Sequence, residues 1–287
     1  MTQIITPEER RAEDRGAHIL LLGRFGAGKT WQARTLDPSS TLIVDIENGT
    51  LSIDDIAMAH TRPQSFPELQ NLIVQIVGPN RSFAPSELYS QAHFDRCGGF
   101  LQGIEQYRTL FIDTVTTASR LSFRHASTLP EAVSERTGRP DQRAAYGAHA
   151  RQFLLALHHL QSARGLNIIL IGALETVTDD YGRIEHRLQA EGQRVPREIA
   201  GIVDEVITLD TIDFGDGKPI RCFVCTSNAW GFPAKDRSGR LEQIEPPDLG
   251  KLIAKILPPR ASHGAAAAAQ PSQSAITQFT QQAQTEE

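Results

Sequence analysis

The sequence predicts an α/β fold, a mostly parallel sheet flanked by helices with antiparallel strands appended. Two observations carry this. Short apolar runs recur at residues 18–22, 41–44, 109–112, 167–171 and 203–209, and helical patterns separate them. Alternation of this kind argues for a parallel sheet with helical crossovers. Further on, a Gly-rich turn around Gly215 to Pro219 separates two β-type segments, 202–213 and 220–228, so a hairpin extends the sheet.

In chain order, residues 1–17 are a polar extension without the apolar stretch of a secretory leader. The core is expected over 18–257, opening with the strand His-Ile-Leu-Leu-Leu at 18–22. From about Asp141 to Ala163 a helix places Phe153, Leu154, Leu157 and Leu160 on one face before Gly165 stops it, as a crossover helix packed on the sheet would. Residues 258–287 hold five consecutive alanines (Ala265 to Ala269) and then Gln, Ser and Thr, with Ile276 and Phe279 the only large apolar residues. Such a segment cannot build a core and reads as a flexible tail.

Composition narrows the function classes. With 287 residues, 40% hydrophobic and 22% charged, the chain can bury one sizeable core, and no apolar run reaches the roughly 18 to 20 residues of a spanning helix. A cytoplasmic protein without membrane contact is expected, with its three cysteines (Cys97, Cys222, Cys225) reduced. The net charge of -5 excludes a globally basic polyanion binder but allows a basic path along one face.

The sharpest signal is Gly23-Arg24-Phe25-Gly26-Ala27-Gly28-Lys29-Thr30, a G-x-x-x-x-G-K-[ST] phosphate-binding loop set between an apolar strand and the helix-compatible segment Trp-Gln-Ala-Arg-Thr. Glycines let backbone N–H groups curl around a phosphate, and the following helix start adds positive potential. Lys29 would bridge the β- and γ-phosphates of ATP, and the Thr30 hydroxyl would bind Mg²⁺. Asp113, directly after Leu110-Phe111-Ile112, is the carboxylate expected to share that metal. Asp45 and Glu47 lie just beyond the second strand, and Glu47 is the favoured group to orient or deprotonate the attacking water.

This order of motifs resembles the RecA-type ATPase core, in which an acid after the strand following the loop activates water; Glu47 matches it. Lys235-Asp236-Arg237-Ser238-Gly239 looks like the Lys-x-Arg-x-Gly element of RadA-like and DnaB-like members, which implies that Lys235 and Arg237 reach a neighbouring subunit's γ-phosphate. Over about Ile19 to Leu257 the chain is similar to phage P-loop proteins related to RecA, including Sak-type ATPases that assist single-strand annealing. The resemblance implies ATP, Mg²⁺, self-assembly as a filament or ring, and binding to single-stranded DNA in recombination, annealing or replication.

RecA-like filaments contact DNA through two loops, and both have counterparts here. The first, about His125 to Arg143, holds Arg136, Arg139 and Arg143; the second, about Val177 to Arg197, holds Arg183, Arg187, Arg194 and Arg197. Tyr146 and Tyr181 offer stacking faces. Glu175 stands where such cores place a polar γ-phosphate sensor, often Gln or His, and departs from that pattern. A ring helicase or helicase loader, or a nucleotide-gated binding module that barely hydrolyses ATP, are the alternatives. The tail is read as a flexible segment, with docking on a single-strand-binding protein or on its own filament, through Ile276 and Phe279 as anchors, as the alternative. The Cys222–Cys225 pair is not read as a zinc site, because strand residues three apart face opposite sides.

Overall fold

The computed structural model describes residues 4–134, 136–178, 181–182, 184–215, 217–226 and 230–258, without the side chain of Arg11. The elements are, in order, α1 (Pro7–Ala12), β1 (His18–Gly23), β2 (Thr41–Asp45), β3 (Ala59–Thr61), α2 (Phe66–Val77), α3 (Gln91–Arg96), β4 (Thr109–Asp113), α4 (Val115–Ala126), α5 (Gln142–Gln161), β5 (Asn167–Thr178), β6 (Ile184–Leu188), α6 (Arg194–Ile202), β7 (Glu205–Ile212), β8 (Ile220–Val224), β9 (Lys235–Asp236), β10 (Ile244–Glu245) and α7 (Leu249–Ile256). The expected tail anchors, Ile276 and Phe279, lie outside the described residues.

The strand order is β10-β8-β7-β1-β5-β4-β2-β3, with β6 on β5 and β9 on β7. Strands β3, β2, β4, β5, β1 and β7 run parallel; β8, β10, β6 and β9 are antiparallel. The parallel strands β1, β2 and β4 are buried on both faces, which is why their sequences are nearly continuous apolar runs, whereas the edge strand β3 is largely exposed. On one face Leu20, Leu22, Leu110, Ile112 and Leu170 pack under α2, α4, α5 and α6. On the other, Ile19, Leu21, Phe111, Ile169 and Leu209 pack against α7 and the segment after the phosphate-binding loop.

The expected crossover helix is α5, capped by Asp141, whose carboxylate accepts from the backbone N–H groups of Arg143 and Ala144. Phe153, Leu154, Leu157 and Leu160 are all buried on the sheet. Two segments differ from expectation. Thr30–Thr35, after the phosphate-binding loop, is a 3₁₀ turn of six residues instead of an α-helix. Thr30 and Trp31 are weak helix formers, and Leu36 is already extended ahead of Pro38.

The second expected DNA loop, 177–197, is largely ordered structure. Strand β5 runs on to Thr178, β6 pairs back along it, and α6 begins at Arg194. Gly182, at φ +77°, turns the hairpin. The first, 125–143, is a mixture: the end of α4, a short 3₁₀ turn at Pro130–Ala132, and a Val133–Pro140 bridge before α5. Among the described residues no helix is long and apolar enough to cross a membrane.

Helix α7 holds the segment after the phosphate-binding loop in place. The Leu249 N–H donates to the Thr35 hydroxyl at 2.9 Å, and a Cβ at Gly250 would lie 2.4 Å from the Thr35 carbonyl oxygen. Gly250→Ala must therefore push α7 away, with an expected loss of about 1–3 kcal/mol. Gly201→Ala, in α6 with nothing within 4 Å of the added carbon, should be neutral or gain up to about 1 kcal/mol. Urea unfolding midpoints check both; equal midpoints for the two variants would show that the α7 contact does not constrain the chain.

Candidate nucleotide site

The parallel strands bring their C-terminal ends to one edge, where open α/β sheets hold ligands. There Gly23 of β1 pairs with Ala173 of β5 and Leu209 of β7, and Asp45 of β2 pairs with Asp113 of β4. An open cavity of about 420 Å³ lies at this edge, lined among others by Phe25, Gly28, Lys29, Thr30, Trp31, Glu47, Asp113, Thr114 and Arg221. Its size suits a nucleotide or other small ligand.

The loop itself needs its glycines for different reasons. Gly28 has φ +94°, a conformation other residues rarely adopt. A Cβ at Gly23 would sit 2.8 Å from the Leu209 carbonyl oxygen, so that position is closed by the neighbouring strand. The Lys29 ammonium folds over the loop and donates to the carbonyl oxygens of Gly23 (2.9 Å) and Arg24 (3.0 Å). With three N–H donors it keeps one for a ligand. Burial lowers its pKa, while Asp113 and Glu47 work in the opposite direction.

Thr30 donates its hydroxyl proton to Asp113 Oδ2 at 2.6 Å. The other oxygen, Oδ1, is buried with no hydrogen-bond partner. Burial pushes the Asp113 pKa up to about 6, opposed by the Thr30 hydrogen bond and reinforced by Glu47. A buried carboxylate with an orphan oxygen is costly unless a cation or proton offsets it. An alcohol and a carboxylate held side by side, beside a phosphate-binding loop, are the hard oxygen donors that Mg²⁺ takes from proteins. The donor set fits the metal.

Glu47 and Asp45 divide the work of the β2 edge. Asp45 is 1% exposed and is bound by Arg62 Nε (2.9 Å) and the Gly49 N–H (3.2 Å), so it shapes the loop. Glu47 is exposed at the cavity, and its Oε1 accepts from the hydroxyls of Thr114 (2.7 Å) and Thr117 (2.6 Å). Those two hydroxyls, unremarked in the sequence, orient Glu47 and leave its Oε2 for a water. Thr114 also caps α4, so one short segment positions Asp113, the cap and Glu47 together.

The structure keeps Lys235 and Arg237 away from this edge. Strand β9 pairs with the first residues of β7, at the opposite end of the sheet from Gly23. Lys235 Nζ donates to the carbonyl oxygens of Ala200 (2.6 Å) and Val203 (2.8 Å). Arg237, with half of its side chain exposed, pairs with Asp204 at 2.9 Å. Of the DNA candidates, Arg136, Arg139, Arg143 and Arg197 are exposed, Arg187 is paired with Glu175 (2.7 Å), Arg194 with Glu198 (2.5 Å), and Arg183 lies outside the described residues. Glu175, expected at a γ-phosphate sensor position, is thus held by Arg187 across the β5–β6 pairing. Cys222 and Cys225 pack into separate apolar clusters on opposite faces of the sheet.

Beneath Lys235 and Arg237 lies Glu205, fully buried, accepting from the N–H groups of Arg237 (3.1 Å) and Ser238 (3.2 Å). Burial and the neighbouring Asp236 charge raise its pKa to about 7. The folded state therefore binds a proton that the unfolded chain releases near its ordinary value of 4.5, so this group's stabilisation is complete below pH 4.5 and is lost as pH rises through 7. Glu205→Gln removes the titrating group and should remove that decline, worth about 3 kcal/mol at pH 8. Urea unfolding of both proteins from pH 4.5 to 8 measures it; parallel curves would contradict the assignment.

A family model described as AAA domain (AAA_24) matches residues 15–238. Comparison with curated protein sequences gives no match. Among solved structures, a prototypical ATPase from the type III secretion system of pathogenic bacteria is similar at 17% identity and TM-score 0.35 over 68% of this chain, which spans 51% of that one. A KaiC-like protein from Pyrococcus horikoshii OT3 is similar at 12% identity and TM-score 0.32, over 73% of this chain and 78% of its own. The flagellar accessory protein FlaH from Methanocaldococcus jannaschii gives 11% identity and TM-score 0.33, over 82% and 90%. With its phosphate-binding loop and metal-type donors inside a matched region covering well over half of its length, the chain belongs to the AAA domain family.

Proposed function

We propose that the protein is a Mg²⁺-dependent ATPase, that Glu47 activates the water, and that turnover is coupled to assembly on single-stranded DNA in recombination, annealing or replication. The convergence of Lys29, Thr30, Glu47 and Asp113 on one cavity carries the catalytic part. Gly23 to Thr30 would cradle the phosphates, with Lys29 holding the γ-phosphoryl oxygens. Thr30 and Asp113 would hold Mg²⁺, which when bound neutralises charge on the β- and γ-phosphates. Glu47 Oε2 would align the water for in-line attack and take its proton, while Thr114 and Thr117 keep the carboxylate from rotating.

One observation supports assembly. Arg237 is half-exposed at the end of the sheet opposite the chain's own cavity, a placement that suits action on another subunit's site. A cation delivered in trans stabilises charge on the transferred phosphoryl group and makes turnover depend on assembly. Lys235, bound by two carbonyls, is better suited to anchoring this segment. For DNA, the support is a groove lined by Arg143, Tyr146, Gly192 and Arg194, together with the exposure of Arg136 and Arg139 in the preceding segment of the chain. Like Sak-type phage ATPases, which the motifs resemble, the protein would work on single strands.

Steady-state ATPase assays across protein concentration, with and without single-stranded DNA, test both parts. Lys29→Ala should abolish turnover, and Glu47→Gln should keep ATP binding while losing about 10²–10⁴-fold in kcat. Arg237→Ala should bind ATP normally yet lose the rise with concentration and DNA. A wild-type rate indifferent to DNA would remove the single-strand role and leave the hydrolase. Full turnover in Glu47→Gln would remove Glu47 from the chemistry.

A further inference from the structure

The cavity contains a cation that no motif announces. Arg221 lies on β8, opposite Thr211 of β7, in the antiparallel hairpin appended to the parallel sheet. Side chains alternate along a strand, so Arg221 shares a face with Phe223 and Cys225. Those two residues pack into the cluster that includes Ala33 and Leu36, from the segment directly after the phosphate-binding loop. The hairpin thereby directs Arg221 to the same face of the sheet as the loop.

The contact with the loop is close. A Cβ at Gly28 would lie 3.2 Å from Arg221 Nη1 and 3.5 Å from its Cζ, so the guanidinium rests directly on the glycine backbone. Gly28 is thus required for a second reason besides its φ, because any side chain there would press on the guanidinium. The loop's other basic neighbours are engaged: Arg24 faces Asp210 at 3.7 Å, and Lys29 is bound by two carbonyls. Arg221 is exposed and, among the described residues, its side chain makes no hydrogen bond or ion pair. An unpaired guanidinium with five donors, set against a loop of backbone N–H groups, is chemistry for a phosphate.

We propose that Arg221 is a phosphate-binding residue of the nucleotide site, supplied by the chain's own β8 and gripping the phosphate chain of ADP or ATP from the side of Gly28. This rests on the nucleotide reading above and extends it with a residue that acts within one subunit. It differs in that respect from Arg237, whose proposed action requires a neighbour. The appended hairpin then has a purpose beyond covering the sheet, since it supplies a positive wall that the loop and Lys29 lack on that side.

Calorimetric titration of MgADP into the wild type, Arg221→Ala and Arg221→Lys, at several protein concentrations, tests it. Arg221→Ala should bind at least about tenfold more weakly, about 1.4 kcal/mol, with unchanged melting temperature because the side chain has no partner in the fold. Arg221→Lys keeps a point charge and should bind within about threefold of wild type. The losses should not depend on protein concentration. Wild-type affinity in Arg221→Ala overturns the proposal, as does a lysine variant as weak as the alanine one, which would point to stacking on the base. Failure of the wild type itself to bind MgADP would remove the nucleotide reading, a separate outcome.

Discussion

The 2.6 Å hydrogen bond from Thr30 to Asp113 is the joint on which the site depends. It links the end of the phosphate-binding loop to the end of β4, although β5 lies between β1 and β4 in the sheet. It also leaves Asp113 Oδ1 buried without a partner, a local cost that folding alone has no reason to keep. Such unresolved polarity belongs to sites completed by a ligand, where stability is given up for function. Everything nearby is arranged around it. Asp45 is held by Arg62 and Glu47 by Thr114 and Thr117, and the charges of both carboxylates add to the repulsion at Asp113.

The two ends of the sheet carry different chemistry. At the C-terminal ends of the parallel strands lie the loop, the metal-type donors and Arg221. At the other end Glu205 organises the segment carrying Lys235 and Arg237 through backbone N–H groups, leaving the arginine head half in solvent. A chain with a cavity at one end and a cation at the other is suited to a head-to-tail contact, which closes as a ring or continues as a filament. This layout is the physical content of the proposed coupling between hydrolysis and assembly.

What was legible in the sequence was local. The phosphate-binding loop, Asp113 and Glu47 each follow an apolar strand by a few residues, so strand ends could be read without knowing the strand order. The α5 face was readable because Phe153, Leu154, Leu157 and Leu160 keep helical spacing. Partnership across long separations was not. Glu175 and Arg187 face each other only because β5 and β6 form a hairpin, and without that pairing the residues looked like a loop of free arginines. The 3₁₀ turn after Lys29 depends on Pro38 and on α7, more than 200 positions later, through Thr35. Arg221 was hidden for the same reason, although the alternation Arg221, Phe223, Cys225 was available once the hairpin was drawn.

Thermal unfolding with ADP alone, Mg²⁺ alone and both together, in the wild type and in Thr30→Val, tests the central joint most directly. If Thr30 and Asp113 seat a metal beside a phosphate, ADP and Mg²⁺ together should raise the wild-type midpoint by several degrees at about a hundredfold excess over Kd. Either ligand alone should do much less, and the valine variant should lose the Mg²⁺-dependent part. A wild-type shift with ADP that is the same in EDTA, or no shift with both ligands, would contradict the account.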